Sequence, residues 1–203
     1  MDIEDLIAVN RLWHKIYPYT ARQVMEAFGR KNGRALELGP FAGGISFVLA
    51  EKYPALELTI AADNADYIDY LETELEQRRL KERIRLIEAP LTGMPFAAGA
   101  FDLVILRGAF FFIMDQPGIL DEIHRLLGPG GLAFVGGGYG KDIPNALIDE
   151  IAAESRLLND RLGRRRISLA ELRNLVESRG LGEKTQIIEE GGVWLEIRAR
   201  ATT

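Results

Sequence analysis

The chain has 203 residues, enough for one domain with a proper core, and its 47% hydrophobic and 27% charged residues describe an ordinary globular protein. A formal net charge of −5 argues against a general nucleic-acid binder, which would show a basic footprint. Cysteine is absent, so disulfides, thiolate metal sites and a thiolate nucleophile are excluded.

His14 and His124 stand far apart with no ligand spacing around them, and no metal is expected. No apolar run approaches the ~20 residues of a membrane span. The acidic start, Met1 to Asp5, differs from a signal peptide, and the expected compartment is the cytoplasm.

Leu6, Val9, Trp13 and Ile16 recur at helical spacing, which predicts a helix over 2–16 capped by Asp2 and ended by Tyr17-Pro18. Thr20-Ala21-Arg22-Gln23 reads as a capping box opening a second helix, with Val24, Met25 and Phe28 inside and Gly29 to Gly33 closing it. Both helices precede the first strand, so they are expected on the ligand edge of a sheet or as a lid. The apolar run Ala35 to Leu38 is a short strand that ends in glycines, and 45–53 is a helix stopped by Pro54.

Leu56 to Ala62 is the second strand, ending on Asp63-Asn64. A long helix follows, with Ile68, Leu71 and Leu75 inside. Ile84 to Ile87 and Phe101 to Leu106 are strands three and four. A helix over 116–127 carries Pro117 in its first turn. Gly128 to Gly131 makes a hard turn into strand five, Leu132 to Val135. After the glycine run Gly136 to Gly140 come a helix over 143–160 and a basic turn, Arg164 to Arg166. Ser168 to Glu171 caps a last helix, and a hairpin bends around Gly191-Gly192. The order predicts one α/β domain, residues 1–203, with a mostly parallel sheet.

The centre of the pattern is Ala35 to Ser46, a strand, glycine turn and helix where open α/β sheets bind nucleotide-like ligands. A dinucleotide fingerprint needs a glycine at the second position of its turn, where backbone meets pyrophosphate; here stands Phe41. Glu37 precedes the first glycine by two residues. A carboxylate adds nothing to an anion-binding turn, whereas it suits a ligand carrying an ammonium and a sulfonium.

With Glu37, Gly39 and Gly43 in place, the stretch resembles motif I of the class I S-adenosylmethionine-dependent methyltransferases, [DE]-x-G-x-G-x-G, and departs from it at Phe41. Glu88 to Phe96 followed by Phe101-Asp102 is similar to the adenine-side segment of the small-molecule branch; the family's adenine-binding Asp falls on Pro90, leaving backbone groups near Leu91 for that contact. Leu126 to Gly131 resembles the L-x-P-G-G turn of the same family. The resemblance implies a Rossmann-like, doubly wound, seven-stranded sheet with a C-terminal antiparallel hairpin and an N-terminal helical extension. It divides the chain into N-terminal helices (1–33), a cofactor-binding core (34–140) and C-terminal helices with the hairpin (141–203).

Asp63 lies 20 residues past Gly43, where an acid accepts ribose hydroxyls; the alternative is a helix N-cap, which Asp63 or Asn64 supplies. The resemblance implies S-adenosylmethionine as cofactor, held by Tyr17, Glu37, Gly39, Pro40, Phe41, Gly43, Asp63, Asn64, Ala89, Pro90, Leu91, Arg107 and Gly108. Tyr17 is read as covering the cofactor's methionine end, or as plain packing. Tyr139 and Lys141 are placed on the acceptor side, and Phe110 to Phe112 after strand four are in part core. His124 is read as an ordinary helix residue.

The expected activity is methyl transfer to a small-molecule acceptor, with no nucleic-acid or membrane partner. Alternatives are a protein that binds S-adenosylmethionine or S-adenosylhomocysteine without turnover and, more remotely, an NAD(P)-dependent oxidoreductase. If the acceptor must lose a proton, His14, Tyr17 and Asp115 are candidate bases, and none is assigned.

Overall fold

The computed structural model describes residues 2–108, 110–163 and 167–201; Ala109, the basic run Arg164 to Arg166 and the side chain of Phe111 lie outside the described residues. The first helix, α1 (Ile3–Trp13), is capped by Asp2, whose carboxylate accepts the Glu4 N–H at 3.0 Å. The second, α2 (Tyr17–Phe28), starts earlier than expected. Tyr17-Pro18 opens it rather than closing α1, because proline lacks only an N–H that a first turn leaves unpaired. Thr20 is therefore inside the helix, its hydroxyl on the Ile16 carbonyl, and forms no capping box.

Alternation of strand and helix then runs β1 (Gly33–Leu38), α3 (Gly44–Lys52), β2 (Leu56–Ala62), α4 (Ala65–Arg78), β3 (Ile84–Glu88) and β4 (Phe101–Arg107). A short α5 (Phe110–Asp115) precedes α6 (Gly118–Leu126), for which Pro117 is the cap position rather than a first-turn residue. The predicted turn at Gly128 to Gly131 is part of a longer strand, β5 (Leu127–Gly137). Its extra residues appear as a break in register, with Phe101 opposite Leu127 but Leu103 opposite Leu132. The chain ends with α7 (Asn145–Arg161), α8 (Leu169–Ser178), β6 (Thr185–Ile188) and β7 (Val193–Arg198). Ser168 and Glu171 form the expected reciprocal cap on α8.

The strands lie in the order β3-β2-β1-β4-β5-β7-β6. The five leading strands pair in parallel, and β7 runs antiparallel between β5 and β6. This is the expected seven-stranded, Rossmann-like sheet with its closing hairpin. Side chains alternate between two cores. On one face Ala35, Ile60 and Ile105 meet Val24, Leu49 and Leu71. On the other, Leu36, Leu38 and Val104 meet Ile119, Ile123 and Leu126. Among the described residues no helix is long and apolar enough to cross a membrane.

Candidate functional site

The central strand β1 has β2 on one side and β4 on the other, so the connections leave its C-terminal end in opposite directions. Open α/β sheets bind ligands in the crevice this creates. Residues far apart in sequence meet along that edge: Glu37 and Gly39 at the end of β1, Asp63 after β2, Ala89 after β3, Arg107 and Gly108 at the end of β4.

Gly39 and Gly43 have φ of +113° and +117°, which side chains with a Cβ rarely adopt. The space beside the turn is also taken by the protein itself. A Cβ on Gly39 would stand 2.6 Å from Leu106, one on Gly43 2.8 Å from Leu71, and one on Gly44 2.1 Å from the Tyr17 ring. The glycines thus let β4, α4 and α2 close onto the turn, a use the sequence reading did not anticipate. Pro40 and Ala42 are buried with them. Phe41 is fully buried, 5.9 Å from Phe112, and a Cβ on Gly108 would lie 2.9 Å from its ring. The ring in place of the motif's middle glycine is absorbed on the β4 side.

Glu37 is buried. One carboxylate oxygen, Oε2, accepts the Ser46 N–H at 2.7 Å; Oε1 has no well-aligned donor among the described residues. Burial pushes its carboxyl above the usual range, offset in part by Ser46 and the charge of Arg107.

Tyr17, at the start of α2, stands in a chain of buried hydrogen bonds. Arg107 Nη2 donates to the Tyr17 hydroxyl at 2.7 Å, and Tyr17 donates to Asn10 Oδ1. Asn10 Nδ2 donates to the Tyr67 hydroxyl, which donates to the Ala42 carbonyl at 2.7 Å. Every link points the same way, so the chain ties β4, α2, α1 and α4 to the glycine turn. Burial pushes the Tyr17 phenol up, so it stays protonated and is unsuited to accept a proton. The other candidate bases, His14 and Asp115, are exposed.

Asn64 is the cap of α4, its Oδ1 accepting the Tyr67 N–H at 2.9 Å. That leaves Asp63 exposed, with no hydrogen bond to another described residue. Ala89 donates its N–H to the Ala62 carbonyl at 2.9 Å; Ala89 and Leu91 are buried, and Pro90 between them is exposed. Over the β4 side, Trp13 of α1 stacks on Tyr139, with ring centroids 5.1 Å apart and an 8° angle. Lys141 is turned to Glu190, 3.5 Å away, and Gln23 accepts its backbone N–H. His124 contacts Lys184 at 3.1 Å, far from this edge, as an ordinary helix residue does.

Asn10, Tyr67 and the Trp13–Tyr139 stack were not foreseen. Asn10 carried one legible signal: it lies four residues after Leu6 and three before Trp13, a polar side chain on the buried stripe of α1. Nothing local marks Tyr67.

Residues 36–135 match the family model of the methyltransferase domain. Demethylmenaquinone methyltransferase of Thermus thermophilus is 31% identical over 114 residues, covering 56% of this chain and 51% of that protein. The ubiquinone/menaquinone biosynthesis C-methyltransferase of Geotalea uraniireducens is 25% identical over 128 residues, covering 63% and 52%. The chain therefore spans about half the length of the curated relatives it matches. Among solved structures, an S-adenosyl-L-methionine-dependent methyltransferase from Methanococcus maripaludis superposes with a TM-score of 0.84 at 24% identity, covering 100% of this chain and 94% of that one. One from Aquifex aeolicus gives 0.68 at 15%, covering 98% of each. The fold is that of the class I S-adenosylmethionine-dependent methyltransferases. The segment that matches the methyltransferase-domain model begins in β1 and ends in β5.

Proposed function

We propose that the protein is an S-adenosylmethionine-dependent methyltransferase acting on a small-molecule acceptor. The observation that carries this reading is Glu37: a buried carboxylate beside the glycine turn, with one oxygen left without a well-aligned donor among the described residues. An ammonium group would donate to that oxygen, and a phosphate would not.

Other residues present fit the same cofactor. Asp63, freed from capping by Asn64, offers both oxygens to a ribose diol. Ala89, Pro90 and Leu91 form an apolar shelf after β3 for a purine, read there by backbone groups. Gly39, Pro40, Phe41 and Gly43 shape the turn, Gly108 borders it, and Tyr17 closes it from α2. When bound, S-adenosylmethionine supplies a methyl group on a sulfonium, whose sulfur is already a good leaving group. The protein's part is alignment and exclusion of water: Trp13 and Tyr139 roof the crevice, and the hydrogen-bonded chain holds α1 on the turn. No side chain is assigned as a base.

The acceptor is taken to be small rather than a nucleic acid, because the net charge of −5 offers no general affinity for nucleic acid, and the cytoplasm is the proposed compartment. The curated relatives named for quinone biosynthesis favour a ring-bearing acceptor. Calorimetry tests the reading: S-adenosylmethionine and S-adenosylhomocysteine should bind and NAD should not. Binding of NAD alone would refute it. Binding of the first two without turnover on any of a panel of phenols, quinols and amines would favour a non-catalytic binding protein.

A further inference from the structure

Arg107 is the one buried arginine among the described residues, 4% exposed, and no described acid lies within ion-pairing contact of it, although its charge acts on the buried Glu37 carboxyl. It donates one N–H of its five to the Tyr17 hydroxyl; Nε is buried with no hydrogen bond to a described residue. Its charge is instead surrounded by aromatic faces, with Tyr17, Trp13 and Phe41 at 4.8, 5.1 and 5.8 Å from the guanidinium carbon. By contrast, Arg125, near the other end of the sheet, is neutralised by Glu122 at 2.6 Å. A guanidinium taken out of water normally has an anionic partner. Here no described carboxylate touches the guanidinium, Glu37 acting on it only from beyond contact distance, and the planar fork is held by rings that exclude water.

We propose that Arg107 anchors the methyl acceptor, and that the acceptor is a small organic anion presenting a carboxylate, phenolate or enolate oxygen to this fork. The inference rests on the methyltransferase reading and adds the acceptor's chemical class. Position on the sheet separates acceptor from cofactor. The groups fitting adenine, ribose and ammonium follow one another across β3, β2 and β1, about 5 Å per strand. Arg107 is one strand further on, at the end of β4 and opposite Gly136 of β5. Trp13 packs on its guanidinium and on Tyr139, which follows β5, so the fork lies between α1 and the β4–β5 exits. Trp13 and Tyr139 both lie outside the segment matched by the methyltransferase family model, where acceptor preferences are free to differ.

The test uses the full chain saturated with S-adenosylhomocysteine, which fills the cofactor end. Benzoate, 4-nitrophenolate and 1,4-dihydroxy-2-naphthoate are titrated in, each beside its neutral amide or methyl ether. The anions should bind and raise the melting temperature while their neutral partners do not, and Arg107→Met should weaken the anions at least tenfold. Because Arg107 also donates to Tyr17, the same variant should weaken S-adenosylhomocysteine and 5′-methylthioadenosine equally, and far less than it weakens the anions. If Arg107→Met loses S-adenosylhomocysteine but keeps methylthioadenosine, the fork serves the cofactor's own carboxylate and the proposal falls. Equal binding of neutral partners, or no binding by any anion, also overturns it. Arg107→Lys keeps the charge; retained but weaker anion binding in that variant supports the assignment even where the Met variant does not fold. Failure of the wild type to bind S-adenosylhomocysteine would instead sink the methyltransferase reading itself.

Discussion

Replacing Asn10 with leucine tests whether the buried hydrogen-bonded chain holds α1 onto the glycine turn. Leucine has nearly the same volume, so the change removes polarity without opening a large cavity. The Tyr17 O–H loses its acceptor inside a buried site, which costs about 1–3 kcal/mol. The Tyr67 oxygen loses a donor, worth about 0.5–1.5 kcal/mol more. The sum is about 1.5–4.5 kcal/mol, and for a domain of this size that lowers the melting temperature by roughly 3–18 °C. Urea unfolding at 25 °C measures it directly. Because Tyr67 is the next link, Asn10→Leu should cost about 1 kcal/mol less when Tyr67→Phe is already present. A loss below about 0.5 kcal/mol, or strict additivity with Tyr67→Phe, would mean the links act independently and the chain does not hold the lid.

Other outcomes follow from the same site. Burial raises the Glu37 carboxyl above its ordinary value near 4.5, so between that pH and the raised one the folded state holds the extra proton. Stability of the ligand-free protein should therefore fall as pH rises through that interval, and S-adenosylmethionine affinity should climb, since its ammonium favours the carboxylate. Glu37→Gln should flatten both curves in denaturation and calorimetric titrations; curves unchanged by the substitution would refute this assignment. Asp63→Ala should weaken S-adenosylmethionine by about 1–3 kcal/mol and leave stability alone, whereas Asn64→Ala should cost about 1 kcal/mol of stability. Reversed effects would show that Asp63 is the cap in solution. Gly44→Ala should fail to fold or lose α2 packing, visible in near-ultraviolet dichroism, because its Cβ would stand 2.1 Å from the Tyr17 ring. A native spectrum would show that α2 is free to move.

Order and type of the elements were written locally in the chain. Leu56 to Ala62, the stripe Ile68, Leu71 and Leu75, and the paired glycines at 191 and 192 each carry their periodicity or turn chemistry within a dozen residues. The strand–glycine–helix unit at 35–46 was legible for the same reason, and with it the switch-point crevice. Ends were less legible. Pro18 opens a helix as readily as it stops one, and only the packing of Tyr17 on Gly44 decided between them.

The contents of the crevice were decided by tertiary structure alone. Asn10 meets Tyr67 across 57 residues and Arg107 meets Tyr17 across 90, and no local rule couples such positions. Which of Asp63 and Asn64 capped α4 depended on the backbone angle at the end of β2, set by pairing with its neighbours. Sequence thus determined the scaffold, because a strand or helix is a short-range property. Charge, burial and unpaired atoms at the site arise only where distant segments exclude water together, and that required the fold.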